Sequence, residues 1–513
     1  MKIARWFIGI VGGLLVALWI AAAFGSRAPV LRNALVEALR DKLDADVELQ
    51  GFDVDTFPTV RINGEGLRLR LRDQKETQPL IEVAHFEVTS GIWGMLRRPR
   101  RFRSVTLEGL TITIPPRSGH DKEAGRAAGS ETSEGPVIVD EVIAHDAALV
   151  LVSRHAGKAP KRFDIHDLRL ESLGFNRTMP FRAALTNPVP KGLIDATGTF
   201  GPWRAAEPGD TAVAGRYTFK NADLNTIKGI AGTLSSEGQF SGQLAEIDVR
   251  GTTSTPNFSI DIGGRPLPLD TRFHAVVDGT DGDTYLKRVD ATFLDTALTA
   301  SGAITGTPGV KGRTIALDVT MEHGKIDDVL RLAVKSPRPV MSGALALQTT
   351  LRIPPGPAKV ADRLQLDGRF AIDDARFTDP AVHMKLVTLS RKSQGKDEDD
   401  KVGRVLSGMR GLFSVKNGVA RFKALTFAVP GAEVDLAGDY GLRSEQLDFT
   451  GTLSMEATIS EAAGGGVKGL VLKAVDPLFK KGGRGAVVPI KIHGTREKPE
   501  FGLDVKKTLK IGS

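Results

Sequence analysis

The chain has 513 residues, and its 41% hydrophobic and 25% charged residues exclude a protein that is disordered throughout. It contains no cysteine, which excludes disulfide bonds, thiolate metal sites and a cysteine nucleophile. The net charge is +8, but the 69 basic and 61 acidic residues are interspersed, a pattern that favours solvated strand faces over a nucleic-acid binding surface.

An apolar segment stands at the start of the chain. Lys2 and Arg5 precede an uncharged run over residues 6–24. As a helix with a rise of about 1.5 Å per residue, this run approaches the roughly 30 Å hydrocarbon core of a bilayer. It predicts a retained transmembrane anchor at residues 1–25. The alternative is a cleaved signal peptide with Ala21–Ala23 as the small-residue site. Either interpretation exports the rest of the chain.

After the anchor, the hydrophobic period indicates a short helix and then strands. Leucines recur at every fourth position over Val30–Leu43, which predicts a helix. The segment Leu67–Arg72 alternates apolar and charged residues, which predicts a strand with one apolar and one solvated face. Val105 and Leu107 share one phase, whereas the apolar residues after Gly109 take the other, so we predict a bulge at that glycine.

A hairpin signature recurs in the second half of the chain. Gly215–Ala222, Gly368–Ala375 and Gly411–Gly418 each combine a glycine, an alternating strand and a final pair suited to a tight turn. Asn417-Gly418 is the strongest of these pairs, because a type I′ turn requires positive φ at both central positions. Short helices are predicted near Asp327–Val334 and Lys468–Lys480.

Two polar segments, Arg117–Pro136 and Arg391–Lys401, have the composition of disordered surface loops. Together with the periodicity, they predict five regions: the anchor 1–25, an N-terminal β region with an entry helix at 26–116, a disordered loop at 117–136, a central β region at 137–400 and a C-terminal β region at 401–513. No run of alternating strands and helices is present, which excludes Rossmann and TIM-barrel architectures.

No motif in the sequence predicts catalysis, a metal or a cofactor. A Gly-x-Gly-x-x-Gly match at 464–469 lacks the βαβ context that dinucleotide binding requires, so a flexible helix entry is the simpler interpretation. His145, His155 and His166 are spread over a strand-rich stretch, which favours surface histidines over a metal site. We therefore expect a protein that is not an enzyme and that needs no cofactor or metal.

The densest charge cluster is a run of arginines that follows the first strands. A solvated loop is one interpretation of this run. The other is contact with anionic lipid head groups near the anchored end, worth about 1 kcal/mol per basic residue. The candidate residues are Arg97, Arg98, Arg100, Arg101 and Arg103.

The two ends of the chain resemble the AsmA-like family of Gram-negative envelope proteins, the group that includes AsmA, TamB and YhdP. At the N-terminal end the likeness lies in the anchor, the short helix and the segments Asp46–Val54, Phe57–Ile62 and Leu107–Ile114. At the C-terminal end it lies in Asn417–Val419, Leu425–Ala432, Leu436–Gly438 and Pro489–Thr495 followed by Pro499. The middle of the chain resembles the family only in being rich in predicted strands.

The resemblance implies a mainly β fold: a long, curved, antiparallel β-sheet that forms an elongated apolar groove, with an N-terminal transmembrane helix and a few short helices. It implies a single-pass protein of the inner membrane whose bulk lies in the periplasm. Such a protein binds or conducts phospholipids toward the outer membrane and supports outer-membrane biogenesis and integrity. The implied partners are membrane phospholipids, the inner membrane and, at the C-terminal end, other envelope proteins, but not nucleic acid.

A sheet with one apolar face must cover that face, and the sequence offers few aromatic residues and few long helices to do so. Acyl chains could cover it instead. The candidate groove-lining residues are Leu67, Leu69, Leu71, Val105, Leu107, Ile112, Ile114, Phe370, Ile372, Phe413, Val415, Leu425, Phe427 and Val429. The alternative function is a non-enzymatic envelope scaffold or outer-membrane protein assembly factor. An open apolar trough would favour lipid, and a dry core filled by the protein's own side chains would favour the scaffold.

Overall fold

The structure is a computed structural model in which 26 strands and few helices form from the described residues. It describes residues 32–33, 36–37, 40, 45–55, 59–71, 79–91, 100–114, 137–151, 161–174, 177–202, 204, 208–261, 265–307, 310–334, 338–378, 380–394, 407–458, 485–496 and 498–503. The anchor 1–25, the loop 117–136 and the helix near Lys468–Lys480 lie outside these residues. Among the residues that the structure does describe, no helix is long and apolar enough to cross a membrane.

The chain divides into two compact units. The first comprises Met1–Asp223, Ser235–Gly251 and Val276–Gly282, and the second comprises Leu224–Leu234, Thr252–Ala275 and Asp283–Ser513. The strands that lie wholly in the first unit are β1 (Ala45–Glu48), β2 (Gly51–Asp55), β3 (Val60–Leu71), β4 (Ile81–Ser90), β5 (Arg100–Glu108), β6 (Thr111–Ile114), β7 (Val137–Leu151), β8 (Lys161–Gly174), β9 (Met179–Pro188), β10 (Lys191–Phe200) and β11 (Ala212–Asp223).

The sheet of the first unit is mixed. β1 and β2 pair with β3, β3 pairs with β4, and β4 pairs with both β5 and β6. β5 and β6 then pair with β7 in parallel, and β7 to β11 continue as antiparallel neighbours. The prediction of an antiparallel sheet is therefore too narrow. A parallel pair requires the chain to return along the strand before it pairs again, and residues 115–136 provide that connection.

A shared change of phase crosses this sheet at Gly109. Leu107 and Leu110 are both buried, as the change of phase in the sequence predicts. No extra residue is inserted, however, because the alternation of buried residues in β4 shifts by one position at the same place. Val83 and Phe86, three residues apart, are both buried, and Phe86 lies opposite Leu107. Gly109 has a φ of 63°, a left-handed conformation that favours glycine. The predicted bulge is thus a kink that neighbouring strands share.

Described residues of the predicted entry helix are helical, and they protect the sheet edge beside β1. Arg32 donates from Nη2 to the carbonyl oxygen of Leu49 at 2.5 Å, and Arg40 donates to that of Val47 at 3.3 Å. These carbonyl groups would otherwise be free to pair with another strand. The two arginines therefore blunt an edge that could promote aggregation.

The remaining strands are β12 (Ile230–Ala231), β13 (Thr233–Gln243), β14 (Glu246–Ile260), β15 (Leu267–Val277), β16 (Thr284–Phe293), β17 (Thr296–Gly306), β18 (Arg313–Lys325), β19 (Met341–Ile353), β20 (Gln365–Phe377), β21 (Ser407–Lys416), β22 (Val419–Val429), β23 (Ala432–Gly441), β24 (Gln446–Met455), β25 (Ala486–Thr495) and β26 (Pro499–Leu503). From β16 to β26, each strand is antiparallel to the next. Helices α1 (Ile326–Ala333), α2 (Val360–Arg363) and α3 (Pro380–Ser393) lie in the second unit.

Of the three predicted turns, only the one at Asn417-Gly418 is confirmed. Both residues have positive φ, 52° and 74°, and they join β21 to β22. Asn221 and Asp374 also have positive φ, but they lie inside β11 and β20, where the register against the neighbouring strand shifts. The prediction of turns there is wrong. A left-handed Asx residue suits a bulge as well as a turn, and the strand continues past it.

The helices of the second unit were predicted in part. α1 confirms the helix predicted near Asp327–Val334. α3 was not predicted, and its last turn takes in residues 391–393 from the start of the predicted polar loop. Leu386, Val387 and Leu389 of α3 pack against buried residues of β22 and β23. This tertiary packing stabilises a helix that its sequence pattern alone did not reveal.

Candidate functional site

The first unit begins with a closed apolar cluster in which the side chains of β1 to β7 bury one another. Four predicted lining residues, Leu67, Leu69, Val105 and Leu107, are at most 1% exposed there. Ile112 packs against the cluster, whereas the side chains of Leu71 and Ile114 lie outside the described residues. The closed cluster consists of Val47, Leu49, Val60, Ile62, Leu67, Leu69, Ile81, Val83, Phe86, Val88, Phe102, Val105, Leu107, Leu110, Val139, Val142, Ala144 and Ala147.

Further along the same unit, the apolar face is only half-buried. The strand register places its side chains in rows across β9, β10 and β11. The rows are Leu185–Ile194–Phe219, Ala183–Ala196–Tyr217, Phe181–Gly198–Gly215 and Met179–Phe200–Val213, and all of these residues except the buried Met179 are half-buried. We call this set the β9–β11 floor. It carries no charged side chain, since Arg182, Asp195 and Arg216 alternate with it and are exposed on the opposite face.

In the second unit, helices cover one end of the strands. Ile326, Val329 and Leu330 of α1 pack against a buried cluster that includes the predicted lining residue Ile372. α3 covers a second cluster, which includes the predicted lining residues Phe427 and Val429, 8% and 6% exposed. These residues face the same side of the sheet, but helices of the chain itself cover them.

At the other end of the same strands, where α2 lies in the β19–β20 connection, the apolar side chains are half-buried. We call this set the β17–β22 floor; it includes the predicted lining residues Phe370, Phe413 and Leu425, while the predicted Val415 beside it is buried. Phe370 lies 6.0 Å from Phe413 and 6.3 Å from Phe422 between ring centroids, which is ordinary aromatic contact. The floor consists of Ile304, Ile315, Leu317, Leu351, Ile353, Leu366, Phe370, Phe413, Phe422 and Leu425.

The opposite face of both sheets carries paired charges. Arg68 lies 2.8 Å from Glu82 across β3 and β4, and Arg421 lies 2.8 Å from Asp439 across β22 and β23. Cross-strand pairs of this kind stabilise a solvated face modestly. This face is the wet side of the sheet.

The predicted arginine run is only partly described. Arg101 is exposed and forms an ion pair with Asp140 at 2.6 Å, and Arg103 is exposed. Arg97 and Arg98 lie outside the described residues, as does the side chain of Arg100. Contact of this run with anionic lipid therefore stays a prediction.

A cluster of four charged residues joins distant connections of the second unit. Lys359, just before α2, lies 2.8 Å from Asp261, which follows β14. Arg443, in the β23–β24 connection, lies 2.8 Å from Asp362 of α2 and 3.6 Å from Asp261. Burial acts to raise the pKa of Asp261, but the cations of Lys359 and Arg443 outweigh it and hold that pKa below its ordinary value. We call these four residues the clasp.

The clasp brings together connections that lie far apart along this edge of the sheet. Four strand spacings separate the β19–β20 connection, which contains α2, from the β23–β24 connection. In a flat sheet they would stand about 19 Å apart, farther than an arginine and an aspartate side chain together can reach. The contact between Arg443 and Asp362 therefore requires residues 354–364 to lean toward the β23–β24 connection, the intervening strands to curl, or both.

The remaining polar candidates have ordinary partners or lie outside the description. His145 lies 3.2 Å from Asp167, and His166 forms a 2.8 Å hydrogen bond with Thr186. His155 and the glycines at 464–469 lie outside the described residues. In the described part of the chain, no group of three or more His, Cys, Asp or Glu side chains is placed to hold a metal ion.

Sequence reasoning missed the β9–β11 floor, although the signal was present. The repeat at Gly215–Ala222 contains Tyr217 and Phe219 at alternate positions, which predicts that both face one side. Comparisons of the chain with known protein families, curated proteins and solved structures found no match.

Proposed function

We propose that this chain is an inner-membrane-anchored periplasmic protein that binds phospholipids and conducts them toward the outer membrane. The observation that carries the proposal is the uncharged, half-buried apolar surface of the two floors, set against a charged opposite face. An acyl chain laid on a floor would move apolar surface out of water on both partners. Each buried methylene contributes up to about 0.8 kcal/mol.

The absence of charge suits the hydrocarbon part of a lipid, because an unpaired charge beside an acyl chain would have to lose its hydration. The charged head group would remain at the rim, in contact with water. Loss of this transport would impair outer-membrane integrity, which connects the proposed binding activity to envelope biogenesis.

A second function, that of a non-enzymatic envelope scaffold or assembly factor, is favoured by the closed cluster. There the predicted lining residues contact one another and leave no open face for a ligand. The two functions differ in what they require of the floors. A conduit needs its floors open to lipid, whereas a scaffold would cover them with protein.

The test uses one substitution in two settings. Leu351 is half-buried in the β17–β22 floor, and Leu412 of β21 is 49% exposed on the opposite face. In Leu351→Asp the carboxylate can still reach water when lipid is absent, so the protein should fold. It should lose most of the lipid that co-purifies with the full-length wild-type chain, as measured by mass spectrometry. The matched control, Leu412→Asp, should retain the lipid.

Two results would contradict the proposal. One is a folded wild-type chain that carries no lipid and binds no apolar probe. The other is a folded Leu351→Asp protein that carries as much lipid as Leu412→Asp. Phe427→Asp is a poorer test, because Phe427 is buried beneath α3 and the change would disturb folding itself.

A further inference from the structure

Two hydroxyl groups meet in the otherwise apolar surroundings of the β9–β11 floor. The Tyr217 hydroxyl lies 3.1 Å from Oγ of Ser236 on β13. Both residues are half-buried, and burial raises the pKa of Tyr217, although the bond to Ser236 acts against this. The hydroxyl is therefore neutral over the whole range of physiological pH and can only act through hydrogen bonds.

A glycine makes this position possible. A Cβ atom on Gly238 would lie 2.8 Å from Cε1 of Tyr217 and 3.0 Å from its hydroxyl oxygen. Any larger residue at Gly238 would displace the ring. The tyrosine side chain thus lies flat over β13, which directs its hydroxyl along the floor instead of into solvent.

The second unit contains a similar pair. Oγ1 of Thr253 on β14 lies 2.7 Å from Oγ1 of Thr271 on β15, and both threonines are half-buried. Thr271 alternates with exposed Asp270 and Arg272, so it shares the apolar side of β15 with Leu269 and Phe273. Among the residues that the structure describes, each unit therefore has a pair of hydroxyl groups from neighbouring strands on its apolar side.

Each pair has hydrogen-bonding capacity to spare. Two hydroxyl groups provide two donors, and the bond between them uses one. If an acyl chain covered the floor, the remaining donor would lose water and would need a new acceptor. Leaving it without one costs roughly as much as a lost hydrogen bond.

We propose that the two hydroxyl pairs are binding sites for the neutral ester region of an acyl lipid. This inference rests on the proposed function, because it identifies the part of the lipid that the apolar sides of β11 and β13 and of β14 and β15 recognise. A phosphate group would be a poor occupant. The charged neighbours of Tyr217 and Thr271 in sequence, Arg216 and Arg272, are exposed on the opposite face. An ester carbonyl supplies an acceptor without bringing a charge into the floor.

The test compares two probes on the delipidated full-length chain, methyl oleate and a linear alkene of similar chain length. Both should displace a fluorescent apolar probe, but the ester should bind about five-fold more tightly, as one hydrogen bond predicts. The variant Tyr217→Phe/Ser236→Ala/Thr253→Val/Thr271→Val removes both hydroxyl groups of each pair, so no donor remains for the ester carbonyl. It should bind the ester and the alkene equally. Tyr285→Phe, at an exposed tyrosine of β16, should retain the preference.

The outcomes separate the two proposals. If the folded wild-type chain binds neither probe, the proposed function fails. If it binds both equally, or if the folded variant that lacks all four hydroxyl groups keeps its preference for the ester, the hydroxyl sites are refuted while lipid binding stands. Tyr217→Phe with Ser236→Ala is an independent check, because it removes only the first pair. It should weaken ester binding and leave alkene binding unchanged.

Discussion

The closed cluster of the first unit and the β17–β22 floor of the second arise from the same strand pattern but differ in what covers them. In both, apolar and polar residues alternate, so that one face is hydrocarbon and the other is charged. In the cluster the apolar side chains are almost completely buried, with Leu67 and Leu69 at 0% exposure. In the floor they are half-buried. Alternation therefore specifies an apolar face but does not specify its occupant.

The cover comes from residues outside the alternating strands. In the first unit, Val36 of the entry helix and leucines of β8 pack against the cluster. In the second unit, α1 and α3 pack over one end of the strands only. The difference between a closed core and a half-buried floor thus depends on a few packing helices and on the leucines of β8. The following predictions test this distinction, starting with the largest effect.

Leu69→Asp should prevent the first unit from folding. Leu69 is fully buried among apolar neighbours, with Val47 and Ile81 opposite it on the adjacent strands. An unpaired carboxylate at this position costs several kcal/mol, a large share of the stability of a typical domain. We expect low yield and loss of the cooperative thermal transition, measured by circular dichroism.

The same substitution at Leu351 provides the comparison, because this residue is half-buried and should tolerate the change. If Leu69→Asp folded as well as Leu351→Asp, the cluster would have to be open to water. The distinction between cluster and floor would then fail, and the cluster would need to be considered as part of the proposed lipid-binding surface.

Shortening the connection between β6 and β7 should also disrupt the first unit. Ile114 lies beside Leu151, whereas Val137 lies beside Arg100 at the other end of β7. The chain must therefore return over a distance of about 46 Å, at about 3.3 Å per strand residue. A fully extended connection needs roughly 14 residues to span it. Replacing residues 117–136 with four Gly/Ser residues should break the parallel pairing and lower the melting temperature sharply.

A Gly/Ser replacement of the full length is the control for this change, and it should leave the melting temperature nearly unchanged. Equal stability of the short and full-length replacements would show that β5 and β7 are not parallel neighbours. A loss of stability with both would show that the native residues of the connection themselves pack against the sheet.

Sequence reasoning gave the mainly β fold and the parity of many strands, because a period of two is a local signal. The type I′ turn at Asn417-Gly418 and the helix α1 were accessible for the same reason. The change of phase at Gly109 is also visible in the sequence, but its pairing with the change of phase between Val83 and Phe86 depends on strand register, which is not a local signal. Local patterns thus located strands and faces correctly.

What sequence could not provide is information on long-range packing. Leu69 and Leu351 look alike in sequence, since each alternates with polar neighbours, yet one is fully buried and the other half-buried. The parallel pairing of β5 with β7 depends on the path of a connection, which composition does not encode. The clasp joins residues far apart in the chain, and no spacing rule indicates such a contact.

A smaller loss of stability is expected from substitution of Asp328, which connects α1 to the strands of the second unit. Asp328 is 2% exposed, and its Oδ2 accepts hydrogen bonds from the backbone N–H of Asp295 and from the Thr296 hydroxyl, at 3.1 and 2.9 Å. Asp328→Ala would leave both donors without their partner, a cost of about 2–3 kcal/mol. Denaturant unfolding should show this loss, with Asp328→Asn losing less.

This change also tests whether α1 acts as a cover. If α1 loosened, the buried side chains of Phe293 and Met321 beneath it would become accessible. Binding of an apolar fluorescent probe should then increase in Asp328→Ala relative to the wild type. Unchanged probe binding in a destabilised variant would show that α1 stays in place without this carboxylate.

The smallest effect is expected from the clasp, because ion pairs near the surface contribute about 1 kcal/mol or less and are screened by salt. Lys359 and Arg443 hold the pKa of Asp261 below its ordinary value despite its burial. The folded state therefore binds a proton at Asp261 less readily than the unfolded chain does. The stabilisation is fully present above the ordinary carboxyl pKa of about 3.9 and is lost as the pH falls through the lowered value. Asp261→Asn should lower stability slightly at neutral pH and not at all in strong acid, as measured by melting temperature across pH. A decrease that persisted undiminished in strong acid would show that Asp261 acts through packing and not through its charge.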